Sequence, residues 1–233
     1  MLALKKKFLT FSYDDGVTQD IRLIEILNRY GLKGTFNLNS GLFGLNDMRI
    51  REDAVISHCR LKKEDIRSVY EGHEIAVHTL THRDLASLSD KEVVWEVERD
   101  RMTLSDLVGY EVTGMAYPYG YHEGNDHTSE LIKYQTGIQY ARTTKQTLSF
   151  DPPHDLHQME QTIFHCDWDN LFHLGEKFLT MKPTYPQIFS VWGHSYELDI
   201  RDNWDRFEQF CQMMAGKEEI HYGTNMDIFL LCR

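Results

Sequence analysis

The sequence predicts an α/β fold, a barrel of alternating strands and helices in which residues 1–233 form a single domain. Two observations support this prediction. Short apolar runs alternate with segments whose apolar residues recur at helical spacing, which is the pattern of βα units around a parallel sheet. Roughly seven or eight such units fit in the chain, and this number favours a closed barrel over an open sheet.

The predicted strands are short runs rich in aromatic and β-branched residues. In chain order they are residues 8–13, 34–39, 74–78, 112–117, 139–143, 188–192 and 222–232. The first run ends at two adjacent acidic residues, Asp14 and Asp15, and the fourth leads into a turn at Pro118. Residues 145–160 are irregular, and we expect them to lie over one face of the barrel.

The predicted helices lie between these strands and carry apolar residues at a period of about 3.6. In chain order they are residues 21–30, 61–70, 89–109, 129–135, 170–180 and 203–214. Gly31, Gly72 and Gly109 stand at the ends of the first three, where glycine commonly terminates a helix. Ser89 and Glu92 have the spacing of a capping box, which predicts the start of the third helix.

Charge and composition exclude several classes of partner. The formal net charge is −11, from 36 acidic and 25 basic residues, and the one basic cluster is Lys5 to Lys7, so nucleic acid is not an expected partner. Neutral or cationic ligands suit this net charge better. No segment is apolar enough to span a bilayer, and the first residues lack a signal-peptide pattern. A cytoplasmic protein is expected, although a secreted mature form would have the same pattern.

Residues with catalytic chemistry follow several of the predicted strands. They are Asp14 and Asp15, His78 and His82, Tyr117 to Gly120, Asp167 and Trp168, and Trp192 to His194. The carboxyl ends of parallel barrel strands open onto one face, so these groups are expected to converge there.

His78 and His82 are four residues apart and, with one carboxylate, form a ligand set that can hold a catalytic zinc ion. Alone, the histidine pair is typical of surface or core residues, and Asp14-Asp15-Gly16 is typical of a turn before a helix. Together they favour a metal site. Adjacent residues in an extended chain point apart, so one aspartate can bind metal while the other acts as a base.

The motifs SYDDG, HTLTH, AYPYG, DW and WGH occur in this order and resemble the five motifs of the polysaccharide deacetylase family. This family is also called carbohydrate esterase family four or the nodulation-deacetylase homology domain. The resemblance runs from about residue 8 to about residue 231, and GLKGTF and YGTNMDI resemble connecting segments of the family. It implies a distorted (β/α)₇ barrel that removes acetyl groups, usually from N-acetylated sugars, with one divalent metal ion.

The resemblance also implies roles for individual residues. Asp15, His78 and His82 would bind the metal, with Zn²⁺ expected first and Co²⁺ or Ni²⁺ as alternatives. Asp14 would be the general base, and His194 would be the general acid that protonates the leaving amine.

Further roles concern the substrate. The amide N–H of Tyr119 would stabilise the oxyanion, and Asp167 would orient the catalytic acid. Four residues would contact the substrate: Trp168 and Trp192 as the lining of the acetyl pocket, and Tyr117 and Pro118.

Two positions depart from the family pattern. Many members have an arginine that braces the base two residues before the proline of the third motif, where this chain has Ala116. A fuller fourth motif would have an acidic residue three positions before Asp167, where this chain has Phe164. The expected metal ligands are all present.

Some further residues have two interpretations. His154 and His157 have the spacing of metal ligands, but a solvated loop is the favoured interpretation. Cys166 is interpreted as a buried thiol rather than a nucleophile. His73 fits a structural role and a site-orienting role equally well. Tyr121, His122 and Glu123 are weak candidates for substrate contacts. The four cysteines form no CxxC pair, which predicts thiols rather than a zinc ribbon or a disulfide framework.

We therefore expect a metal-dependent hydrolase that deacetylates an N-acetylated carbohydrate, with an acetylated glycan or amino sugar as its partner. One alternative is an O-acetyl esterase or a non-sugar amide hydrolase of the same fold. Another is a catalytically silent protein that binds glycans.

Overall fold

The computed structural model describes residues 5–120 and 126–229, and its strands curl into a nearly closed parallel barrel. The strands are β1 (Lys7–Asp14), β2 (Gly34–Leu38), β3 (Met48–Arg51), β4 (Ala54–Ser57), β5 (Glu74–Val77), β6 (Gly114–Ala116), β7 (Tyr140–Gln146), β8 (Met159–Gln161), β9 (Ile163–Phe164), β10 (Gln187–Gly193) and β11 (Ile220–Tyr222). Nine of these described strands form one sheet, in the order β8-β7-β6-β5-β2-β1-β10-β9, with β11 also paired with β1. The other two, β3 and β4, form a separate hairpin. The predicted distorted α/β barrel is confirmed.

The barrel closes through side chains where the edge strand β8 approaches β10. The Thr162 amide donates to Ser190 Oγ at 2.9 Å, and the Ser190 amide donates to Thr162 Oγ1 at 3.1 Å. These bonds satisfy backbone groups that would otherwise remain unpaired between β8 and β10.

The helices surround the sheet and cover its outer face. They are α1 (Asp20–Arg29), α2 (Ile66–Val69), α3 (Asp90–Val108), α4 (Asp126–Gln135), α5 (Trp168–Thr180), α6 (Glu197–Ile200), α7 (Trp204–Met214) and α8 (Asn225–Phe229). The capping box predicted at Ser89 and Glu92 is present at the start of α3, and Gly109 ends this helix in the left-handed conformation. Among the described residues, no helix has the length and apolarity needed to cross a membrane.

The core lies between the barrel and its helices, and it is rich in buried aromatic rings. Phe11 and Tyr13 of β1 contact Phe207 of α7 edge to face, with ring centroids 6.1 and 6.2 Å apart. Because β1 pairs with β2 on one side and β10 on the other, its carboxyl end is held between two neighbouring strands.

Two predicted elements are wrong in part. The chain from 61 to 70 is helical only from Ile66, after a short 3₁₀ turn, because the Leu61 amide donates to Gly16 O and holds the segment start extended. The strand predicted over 222–232 gives way to helix α8, because Thr224 and Asp227 exchange side-chain-to-amide hydrogen bonds that cap the helix start. Residues 230–232 of that prediction lie outside the described residues.

The hairpin of β3 and β4 was not predicted. Its turn residues, Glu52 and Asp53, both have positive φ angles without being glycine. Since the usual Asn-Gly or Asp-Gly signal is missing, the sequence has no strong hairpin pattern here. This hairpin packs near α6, where Ile56 shares a small apolar cluster with Val17 and Tyr196.

Candidate active site

Side chains at the carboxyl ends of the barrel strands form a group able to hold a metal ion. Asp15, His78 and His82 place one potential ligand atom each within 4.8 Å of one another. Asp15 follows β1, and both histidines lie in the loop after β5. The structure therefore brings together the three residues that the sequence predicted as ligands.

Asp14 and Asp15 diverge because the chain turns sharply between them. Asp14 is the last residue of β1, whereas Asp15 has a φ angle of 86° and donates its amide to Asn37 O at 3.0 Å. The left-handed conformation of Asp15, followed by that of Gly16, separates the two carboxylates. The predicted divergence is present, but a turn produces it rather than strand alternation.

The histidines present unprotonated ring nitrogens toward Asp15. His78 Nε2 lies 3.9 Å and His82 Nε2 lies 3.4 Å from Asp15 Oδ1. Burial lowers the pKa of His78, and burial followed by the charge of His78 lowers the pKa of His82 to about 3. Neutral imidazoles at ordinary pH are the form that binds metal.

Two carboxylates of α3 hold the histidine loop in place. Asp100 Oδ2 accepts the His78 amide at 3.3 Å, and Glu96 accepts both the Thr81 amide at 2.9 Å and its hydroxyl at 2.7 Å. The loop needs this support because His82 has a positive φ angle of 57°.

The chemistry of these residues fits a divalent cation. Asp15 Oδ1 is buried and forms an ion pair with Arg60, whose Nη1 donates its hydrogen bond to the Asp15 backbone O, so a lone pair of Oδ1 remains to act as a ligand. His78 Nδ1 donates to Ala116 O at 2.8 Å, which leaves Nε2 free to coordinate. One carboxylate and two imidazoles are a typical ligand set for catalytic zinc.

A buried arginine braces Asp14. Arg142 of β7 donates from Nη2 to Asp14 Oδ1 and from Nε to Ser12 Oγ at 3.1 Å, and its side chain is fully buried. Burial raises the pKa of Asp14, but the charge of Arg142 and the nearby histidines outweigh it and lower the pKa. Asp14 is therefore held ionised.

Arg142 lies beside Ala116, the position at which many family members have the arginine that braces the base. Ala116 of β6 pairs directly with Arg142 of β7, so the guanidinium reaches Asp14 from the neighbouring strand. Asn37 adds a second donor, with Nδ2 2.8 Å from Asp14 Oδ1.

His194 is held in its protonated form by Glu197. His194 Nδ1 lies 3.2 Å from Glu197 Oε1, and Nε2 lies 3.9 Å from Asp14 Oδ2. Burial lowers the pKa of His194, but the charge of Glu197, then those of Asp15 and Asp14, raise it to about 9.

Glu197 is itself fixed by a second histidine. His165 Nε2 lies 3.0 Å from Glu197 Oε2, and His165 Nδ1 lies 3.2 Å from the Tyr13 hydroxyl. A Cβ at Gly193 would approach the His165 ring to 2.3 Å, so only glycine fits before His194.

Asp167, Trp168 and Trp192 have three different surroundings in the structure. Asp167 precedes α5, and its carboxylate accepts hydrogen bonds from Gln146 at 3.1 Å and Asn170 at 3.0 Å, whereas the carboxylate beside His194 is Glu197. Trp168 is half-buried and lines a cavity of about 230 Å³ beside Glu197. Trp192 packs against Arg142, with the guanidinium carbon 5.2 Å from the ring centre.

The turn after β6 contributes Tyr119 to the mouth. Tyr119 has a φ angle of 59° and is 67% exposed, and its ring lies edge to face on His82 with centroids 4.9 Å apart. Tyr117 and Pro118 are buried, and the Tyr117 hydroxyl donates to His157 O at 2.7 Å. These two residues therefore support the turn.

Three residues from the hairpin and its exit surround Asp15 from the other side. His58 Nε2 lies 2.9 Å and Arg49 Nη2 lies 3.9 Å from Asp15 Oδ2, and Arg60 Nη1 lies 3.0 Å from Asp15 Oδ1. Burial raises the pKa of Asp15, but the His58 hydrogen bond and nearby positive charges lower it well below its usual range.

The remaining candidates have structural surroundings. His157 is buried with Nε2 3.1 Å from Ile138 O, and His73 Nδ1 accepts the Gly34 amide at 3.1 Å. Burial raises the pKa of Cys166, which disfavours a nucleophilic thiolate. Residues 121–123 lie outside the described residues.

The second group of potential metal ligands is already engaged. It consists of His165, Cys166 and Glu197, whose ligand atoms lie within 4.8 Å of one another. Both ring nitrogens of His165 and both oxygens of Glu197 have partners, so this group acts as a support for His194.

Sequence reasoning missed Arg142, Glu197, Arg49, His58 and Arg60. An arginine within the strand YARTT and a glutamate three residues after His194 were the available signals. Both signals are weak, because charged residues at strand ends and helix starts are common.

Comparison with known proteins shows similarity to one family. The family profile described as Polysaccharide deacetylase matches residues 2–141. Over 120 residues, covering 51% of this chain, the sequence is 26% identical to peptidoglycan-N-acetylglucosamine deacetylase PgdA of Listeria monocytogenes. The chain spans only 22% of that relative's length.

Two solved structures share the fold. The family 4 carbohydrate esterase from Streptomyces lividans, in complex with acetate, has a TM-score of 0.58 at 14% identity, covering 94% of this chain and 93% of that one. A variant of peptidoglycan deacetylase PdaC from Bacillus subtilis has a TM-score of 0.56 at 16% identity, covering 95% and 89%.

Proposed function

Because the chain belongs to the polysaccharide deacetylase family, we propose that it hydrolyses the acetamide of an N-acetylated carbohydrate with the aid of one divalent cation. One observation carries the proposal. The ligand set Asp15, His78 and His82 lies beside an ionised carboxylate, Asp14, and a protonated imidazole, His194, at one barrel mouth.

Amide hydrolysis needs both a base and an acid, the roles proposed for Asp14 and His194. Water must lose a proton as it attacks the carbonyl, and Asp14 is ionised and able to accept it. The amine must gain a proton before it leaves, and His194, with a pKa of about 9, carries one at neutral pH. A cation held by Asp15, His78 and His82 would supply Lewis acidity toward water and the acetyl carbonyl.

Other residues of the chain would position these groups. Arg142 keeps Asp14 ionised, and Glu197 takes the orienting role that the sequence predicted for Asp167. The Trp192 Nε1–H is buried without an acceptor among the described residues, so it is available to the acetyl group, together with the Tyr119 amide.

The relatives support a glycan as the substrate. The relatives named above are two peptidoglycan deacetylases and a carbohydrate esterase. We therefore propose an acetylated glycan as the substrate of this chain, without choosing a particular polymer. Residues 1–233 are proposed to act as one catalytic domain.

The test is acetate release by purified protein supplied with zinc, on N-acetylglucosamine oligomers, peptidoglycan and acetylated xylan, with Asp14→Asn as the matched control. We expect acetate from an N-acetylated substrate and almost none from Asp14→Asn. Release from xylan alone would favour the esterase alternative. No release from any substrate by zinc-loaded protein would favour a silent glycan-binding protein.

A further inference from the structure

Two arginine side chains share the single carboxylate of Asp15. Asp14 is paired with Arg142, and Glu197 is paired with protonated His194. This leaves Asp15 facing two guanidinium groups, Arg49 at 3.9 Å and Arg60 at 3.0 Å. No other carboxylate pairs with either arginine within residues 5–120 and 126–229.

A divalent cation on Asp15 would increase this imbalance. The same carboxylate would then have to neutralise the cation as well as both arginines, in a place where Asp15 is almost completely buried. Uncompensated charge is costly in such surroundings. An anion supplied from outside would therefore be bound strongly, because it restores the balance.

Arg49 is the arginine that an outside group can reach. The Arg60 side chain is only 4% exposed, whereas the Arg49 side chain is 28% exposed. Arg49 projects from β3, and its guanidinium is steadied by the Tyr196 ring, 5.5 Å from the ring centre, and by the Tyr196 hydroxyl at 3.4 Å. Its charged end thus lies beside Asp15 and is partly open to solvent.

We propose that the acetylated sugar carries a carboxylate near its acetamide and that Arg49 binds this carboxylate. This inference rests on the proposed function and narrows its substrate class to acidic amino sugars. It differs from the expectation of neutral or cationic ligands, which followed from the net charge of −11, because Arg49 places a positive charge beside Asp15. An arginine fork and a carboxylate form a strong, directional pair.

Binding, rather than turnover, tests the proposal. All proteins carry Asp14→Asn to prevent hydrolysis and are loaded with zinc, and elemental analysis confirms equal loading. The probes are N-acetylmuramic acid and N-acetylglucosaminuronic acid, each compared with its methyl ester, which keeps the shape and removes the charge. Arg49→Gln is compared with Arg99→Gln, which removes the same charge from an exposed position on α3.

We expect at least one acid to bind roughly tenfold or more tightly than its ester, as one charge-assisted pair provides. Arg49→Gln should abolish that preference, and Arg99→Gln should keep it. Equal binding of acid and ester, or a preference that survives Arg49→Gln, would overturn the proposal.

A further arm uses acetate, the other carboxylate available to the site. If Arg49→Gln weakens acetate binding but leaves the sugar acids unaffected, Arg49 serves the product and the assignment to substrate is wrong. Since no turnover is needed, this inference can fail while acetate release still supports the proposed function.

Discussion

Replacing Glu197 by Gln should remove the proton that His194 carries at neutral pH. The His194 pKa of about 9, against an ordinary 6.5, corresponds to ~3 kcal/mol in favour of the imidazolium. The charge of Glu197, 3.2 Å away, is the largest contribution that raises it. In Glu197→Gln, burial still lowers the His194 pKa, and only the weaker attraction of the imidazolium to Asp14 and Asp15 still raises it. The His194 pKa should therefore fall by about two pH units or more.

The measurement is an NMR titration of the His194 ring in metal-free protein, with Glu176→Gln as a control that removes an exposed glutamate on α5. A His194 pKa that stays near 9 in Glu197→Gln would refute the reasoning. In the active enzyme, the alkaline limb of the pH–rate profile should move to lower pH by a similar amount, because a general acid works only while protonated.

The same pair predicts how stability varies with pH. Because the folded-state pKa of His194 is raised, its contribution is fully present below about pH 6.5 and is lost as pH rises through about 9. The difference in unfolding free energy between wild type and Glu197→Gln should therefore shrink between these values. Urea denaturation at pH 6.5 and pH 9.5 measures it, and a constant difference would contradict this account.

Three further predictions concern the metal and the base. His78→Ala should remove the divalent ion, because two ligands are too few, and unchanged metal by elemental analysis would contradict this. Asp14→Asn should keep the metal and lose turnover, measured as acetate release. Asp15→Asn should lose metal affinity first and regain part of its rate in excess zinc. Rescue of Asp14→Asn by zinc instead would reverse the two roles. Arg142→Met should lower the unfolding free energy by about 3–5 kcal/mol, since Asp14 is left buried and unpaired. The exposed pair of Arg29 is the control, and Arg29→Met should change the unfolding free energy far less in urea denaturation, so equal losses would contradict the argument.

The local pattern of the sequence determined the barrel and pointed to the candidate metal ligands. Period-two and period-3.6 apolar runs are properties of neighbouring residues, so the strands and most helices could be predicted from them. The convergence of His78, His82 and an aspartate could be predicted because the loops after parallel strands share one face, whatever the details of packing. The choice of Asp15 over Asp14 as the ligand came from the resemblance to the family motifs. The helix over Asn225–Phe229 was missed because its cap, at Thr224 and Asp227, was outweighed by an apolar run.

The partners of the proposed catalytic groups were decided by tertiary structure alone. Arg142 reaches Asp14 across 128 positions because β6 and β7 pair in the register that sets Ala116 beside Arg142, and a shift of one residue would turn the guanidinium away. Glu197 displaces Asp167 as the neighbour of His194 because α6 begins directly beneath that imidazole, while Asp167 binds Gln146 and Asn170. Arg49, His58 and Arg60 meet Asp15 only because a hairpin without a turn signal folds over the mouth. Sequence spacing constrains which residues share a strand or a helix face, but the charges that meet in a buried site depend on register and on loop placement, which long-range packing sets.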